Sequence, residues 1–117
     1  MKCAENSKVT GRCLDGDMCY IHIDEDYSRV VILTGTRKYA EEIIERIFDS
    51  FYSYKGIITL SSILNELNVY YEYCPELSMH RINRDSFHDH VAVKVKPGNE
   101  EYASIAIIID GFKRYES

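Results

Sequence analysis

Three cysteines and a histidine crowd the N-terminal end of this chain. Cys3, Cys13, Cys19 and His22 follow one another in the spacing Cys-x9-Cys-x5-Cys-x2-His. Thiolate and imidazole are the ligands zinc favours, four of them in a tetrahedron. Cys13 and Cys19 are joined by a loop containing Gly16, which lets two thiolates converge, and Cys3 reaches them across a further polar loop. His22 is the expected fourth ligand, with one obstacle. The residues around it read as a strand, where positions three apart face opposite ways. If the strand begins before His22, the fourth ligand comes from Cys74, His80, His88 or His90. Four protein ligands leave no open position for water, so the ion would be structural. Two other readings stay open: reduced thiols without metal, and a disulfide. Zinc is favoured because a polar, glycine-bearing segment offers little core in which to bury three cysteines as small hydrophobes.

The spacing, together with the text GRCLDGDMCYIH and its glycine turn between the second and third cysteines, resembles the CCCH zinc finger, whose pattern is close to C-x7–9-C-x5-C-x3-H. The resemblance covers about 20 of the 117 residues, and His22 departs from it by standing one residue too close to Cys19. It implies a structural zinc and, as an alternative function, a nucleic-acid-binding module. Charge opposes the second implication. The net charge is −5 and only Lys2, Lys8 and Arg12 are basic near the cysteines, whereas nucleic-acid affinity comes mainly from neutralising phosphates. No aromatic residue lies between Cys3 and Cys19 on which a base could stack.

Other candidates for chemistry are weaker. His88-Asp89-His90, read as a strand, would put two imidazoles on one face, and a metal-dependent hydrolase would use them with nearby acids. Asp24-Glu25-Asp26 could hold a divalent cation, but a hairpin turn collects acids without one. The chain contains no GxGxxG, Walker loop, GxSxG or HExxH motif. It is therefore expected not to be an enzyme.

These residues must be positioned by one domain spanning 1–117, with 1–22 as the zinc-binding segment and 23–117 as an α+β core. At 45% hydrophobic residues the chain can bury a core. Residues 1–18 read as loop. CYIHID and RVVILT, separated by EDYS, read as a hairpin over about 18–34. Gly35 and Thr36 then start a helix over about 37–54, with Ala40, Ile43, Ile44, Ile47, Phe48 and Phe51 on one face. Ile43, Ile47, Phe48 and Phe51 are expected against Val31, Leu33, Ile105 and Ile107. Thr59 or Ser61 would cap a short second helix carrying Leu60, Ile63, Leu64 and Leu67. Val69 to Tyr73 reads as a strand ended by Cys74-Pro75. HVAVKVK and YASIAIIID, flanking PGNE, read as a second hairpin, its first strand buried on the Val91, Val93, Val95 face and its second lying inside the sheet. The fold class expected is α+β: one antiparallel sheet from two hairpins, with one long amphipathic helix and one short helix on a face, and a zinc-stapled N-terminal loop.

With no basic leader before an apolar run and no stretch approaching roughly 18 apolar residues, the chain is expected in the cytoplasm, where thiols stay reduced. An acidic protein with ten tyrosines and no tryptophan suits a basic protein surface. The run of amphipathic helix, KGIITLSSILNELN and C-terminal hairpin is similar to small accessory proteins of phages and mobile elements, among them anti-CRISPR inhibitors. That resemblance implies an inhibitor occupying the basic surface of a nucleic-acid-handling host protein, for example a Cas nuclease, without binding nucleic acid or membrane itself. The expected docking surface is the polar back of the long helix, Glu41, Glu42, Glu45 and Asp49, with Tyr27 and Tyr52. The turn from Asp24 to Ser28 stands next in line.

Overall fold

Alternation in CYIHI and a turn of six residues build the first hairpin. Strand β2 (Cys19–Ile23) pairs antiparallel with β3 (Val30–Thr34), placing Ile21 opposite Ile32 and Ile23 opposite Val30. The computed structural model describes residues 11–12, 19–35, 37–50, 56–69, 71–72, 74–95 and 105–114. A two-residue strand, β1 (Gly11–Arg12), adds to the outer edge of β2, inside the segment read as loop.

Helix α1 (Arg37–Ser50) follows, and the remainder of the expected 37–54 lies outside the described residues. Its 3.6-residue period puts Ala40, Ile43, Ile44 and Ile47 on one face, and all four are buried. Each large aliphatic side chain withdrawn from water contributes roughly 1.5–3 kcal/mol. The helix packs on β3 and on β7 (Ile105–Ile109). β7 lies between β3 and the edge strand β6 (Val91–Val95), giving the order β1-β2-β3-β7-β6, all antiparallel. β7 is thus interior, as its apolar run implied.

The parity of two strands differs from expectation. Val30, Ile32 and Thr34 face the core, while Val31 is half-buried and Leu33 is exposed. Pairing decides this: Ile32 stands in one row with Ile21 and Ile107, and partners in a row share a face. In β6, Val93 and Val95 are exposed rather than buried. They share the core face by register, but β6 is the edge strand beyond β3 and β7, where α1 packs.

The single sheet expected is two. A three-stranded antiparallel sheet orders β4 (Ile57–Thr59), β5 (His80–Asn83) and β8 (Lys113–Arg114) as β4-β5-β8. β4 runs straight into α2 (Leu60–Glu66). Thr59 ends the strand and caps the helix, its hydroxyl accepting from Ser62 N at 3.1 Å while Ser62 Oγ accepts from Thr59 N at 3.3 Å. Of the expected strand at 69–73, the described residues Val69, Tyr71 and Glu72 are irregular. Cys74-Pro75 opens an element instead of closing one. Pro75 takes the first position of α3 (Pro75–Met79), where its missing N–H is no loss. A 3₁₀ helix (Arg84–His90) joins β5 to β6, so His88-Asp89-His90 is helical rather than extended. One hydrophobic cluster, including Ile21, Ile32, Ile47, Ile58, Leu64, Phe87 and Ile107, joins both sheets. No helix among the described residues is long and apolar enough to cross a membrane.

Candidate functional site

The acidic side of α1 is present as a surface. Glu41, Glu42, Glu45 and Asp49 are all exposed and fall within about 100° of arc on a helix turning roughly 100° per residue. Their Cα positions span about 12 Å at roughly 1.5 Å per residue. Glu45 Oε1 lies 3.2 Å from His88 Nε2, an exposed contact; Glu41, Glu42 and Asp49 have no ion pair among the described residues. The charges run against the helix dipole. Arg37 and Lys38 open the helix, no acid stands in its first turn and no base in its last, and Asp49 sits near the C-terminal end. A charge at the wrong end costs roughly 0.3–1 kcal/mol at an exposed site.

Of the tyrosines expected beside this face, Tyr52 lies outside the described residues. Tyr27 is a turn residue with φ of 60°, half-buried, and it packs inward. Its ring meets the His80 ring at 5.2 Å and its hydroxyl lies 3.8 Å from Cys74 Sγ. In the same turn Asp26 accepts from Ser28 Oγ at 2.7 Å and Ser28 N at 3.2 Å. The Ser28 hydroxyl bond, then the backbone one, hold the Asp26 carboxyl below its ordinary range. This carboxylate is satisfied by its own turn.

The proposed zinc ligands Cys3 and Cys13 lie outside the described residues. Position 19 and His22 both fall within β2. Position 19 shares the parity of the buried Ile21 and Ile23, and His22 takes the other face, 3.9 Å from Asp24 Oδ1. Along a strand, positions three apart face opposite ways. The alternative fourth ligands have other roles. Cys74 is disulfide-bonded. His80 is buried, its Nδ1–H donating to the Glu76 carbonyl at 2.8 Å. His88 meets Glu45, and His90 Nδ1 lies 3.3 Å from Asp110 Oδ1. The two imidazoles of the former His-Asp-His candidate therefore address different carboxylates. No three His, Cys, Asp or Glu side chains among the described residues converge as a metal site requires.

Sequence reasoning missed a cavity of about 350 Å³ beside the three-stranded sheet. Ile57, Arg81, Asn83, Lys113 and Arg114 line it, together with His90 and Gly111. Register explains how four of them come together. Arg81 is the direct cross-strand partner of Lys113, and Ile57 of Asn83, so all four share a face opposite to Ile58, His80 and the buried Ile82. Gly111, at φ +84°, is pressed against the His90 ring, and a Cβ there would lie 2.5 Å from Nδ1. The basic residues were visible in HRINRD and GFKRYE, but only the pairing of β5 with β8 unites them.

No protein-family model, curated protein or solved structure matches the chain.

Proposed function

We propose that this is a non-enzymatic binding protein that docks the acidic side of α1 on a basic protein surface, as an inhibitor of a nucleic-acid-handling protein such as a Cas nuclease would. The observation that carries the reading is the placement of charge on α1. Three carboxylates without ion pairs among the described residues stand on one side of an otherwise well-packed helix, and Asp49, near its C-terminal end, is one that the dipole disfavours. Helix stability does not account for a carboxylate at that end, whereas complementarity to a basic partner accounts for all three. A structural zinc on Cys3, Cys13 and Cys19, stapling the N-terminal segment in the reduced protein, belongs to the same proposal.

Affinity capture on immobilised wild-type and E41K/E42K/E45K protein, followed by binding of the purified partner, tests it. Wild type should retain a partner whose association slows as salt rises from about 50 to 500 mM, the range over which surface charges become screened. The triple variant should lose that retention, and its residual binding should be insensitive to salt. Equal retention by both proteins would place the interface elsewhere and overturn the reading.

A further inference from the structure

The face of the five-stranded sheet turned away from α1 is apolar, where an open antiparallel face is ordinarily polar. Two rows of side chains make it, each crossing β2, β3, β7 and β6 in turn. Tyr20, Leu33, Ala106 and Lys94 form one row, and His22, Val31, Ile108 and Ala92 the other. Tyr20 is 44% exposed and Leu33 37%, Ala92 is exposed, and Val31, Ala106 and Ile108 are half-buried. None of these residues belongs to the hydrophobic cluster or to the side chains packed on it. VVILT and IAIII are apolar at both parities, as in strands covered on both faces. α1 covers one of those faces.

We infer that a second copy of this chain packs on this face, sheet against sheet, across a two-fold axis that runs along the strands between β3 and β7. Those two strands are the middle pair of the four, so the axis lays β3 of one copy over β7 of the other, and β2 over β6. The rows then match by size. Leu33 meets the small Ala106 of the second copy, Val31 meets Ile108, and His22 meets the small Ala92, so the layers interdigitate. Tyr20 meets Lys94, whose stem lies on the ring, and no Lys94 opposes another. Charge favours the same arrangement. The two rows hold no carboxylate. The acids that border them are engaged: Asp24 lies 3.8 Å from Arg29 and 3.9 Å from His22, and Asp110 lies 3.3 Å from His90. The acidic side of α1 points away from the sheet, so two chains of net charge −5 would meet with those surfaces roughly 30 Å apart, beyond the screening length of about 8–10 Å. Four strands about 4.8 Å apart and about 17 Å long give each copy a flat area of roughly 320 Å². With side-chain relief the pair buries on the order of 1,000 Å², the size of a weak, reversible association. The dimer leaves the acidic surface of α1 open in both copies and does not rest on its role.

Sedimentation velocity of the full chain between about 10 µM and 1 mM should show a reversible shift from monomer to dimer. L33E places two carboxylates at the centre of the contact and should weaken it at least about tenfold. V95E, on the opposite face of the edge strand β6, should dimerise within about twofold of wild type. Both positions are exposed, so both variants should keep the spectrum of a folded protein. An isotope-filtered NOE experiment on mixed labelled and unlabelled protein should connect the Tyr20 ring with the Lys94 side chain. Within one chain those positions lie three strand spacings apart, roughly 14 Å, too far for such a signal. Three results overturn the inference: a monomer throughout the concentration range, which would leave the face to a different protein; a dimer undiminished by L33E, as expected of pairing through the β6 edge; or a dimer without the Tyr20–Lys94 contact.

Discussion

Three glycines separate two physical effects and so test the geometry beside the cavity. Gly35 has ordinary backbone and open space where a Cβ would go. Gly56 has open space but a left-handed φ of +71°. Gly111 combines a φ of +84° with contact against the His90 ring. Alanine at Gly35 should be neutral or stabilise by up to about 1 kcal/mol, because it restricts the unfolded chain. At Gly56 the left-handed conformation alone should cost roughly 1–2 kcal/mol. At Gly111 the same strain applies, and the ring must also move. That disturbs the 3.3 Å contact to Asp110 and the bond from Asp110 N to the His90 carbonyl at 3.2 Å. Displacing a half-buried ring with modest polar contacts adds roughly 1 kcal/mol. The expected order is therefore Gly35→Ala, then Gly56→Ala, then Gly111→Ala at about 2–3 kcal/mol, a fall in Tm of roughly 8–15 °C for a domain of this size. Urea unfolding with unchanged m-values measures all three. Gly111→Ala no less stable than Gly56→Ala would refute the close approach of Gly111 to His90, and with it the shape of the cavity wall.

Phe48 is half-buried, its ring 3.7 Å from the Arg84 guanidinium carbon, 4.5 Å from His88 and 6.1 Å from Phe87, so it clamps the 3₁₀ helix rather than the sheet face first expected. Phe48→Ala should cost roughly 2–3 kcal/mol by urea unfolding, below the range for a fully buried phenylalanine; a cost under about 1 kcal/mol would show that the clamp contributes nothing. For zinc, a disulfide within this chain uses two of its four cysteines, so a three-cysteine site and the disulfide of Cys74 exclude each other. Elemental analysis should find about one zinc per chain in reduced protein and none in oxidised protein, and metal-free reduced protein would remove the site.

Legibility in the sequence followed the range of the interactions concerned. α1 was readable because its apolar residues recur with the helix period over four turns, and the Thr59 cap because its chemistry is local. CYIHI also announces its faces, since Ile21 and Ile23 alternate with Tyr20 and His22. RVVILT does not. It is apolar at both parities, so only the pairing of Ile23 with Val30, fixed by the turn between them, decides that Ile32 is buried and Leu33 exposed. The second sheet was illegible for a related reason. IIT, HRIN and KR are strands of three, four and two residues with little strand propensity in the last two. They exist because β5 finds β4 and β8 across twenty or more residues of chain on either side. Pro75 was misread because proline stops a strand and starts a helix equally well, and the deciding residues lie after it.

Net charge likewise averages over surfaces of different composition. The value of −5 argues against a polyanion laid along the whole molecule. It says nothing of a cavity where Arg81 and Lys113 stand across one rung of a ladder. Exposed carboxylates spread along a helix act over distances near the screening length of about 8–10 Å, so at an interface they would govern encounter and its salt dependence. Charge reversal on α1 should thus slow association with a basic protein partner and flatten its dependence on salt.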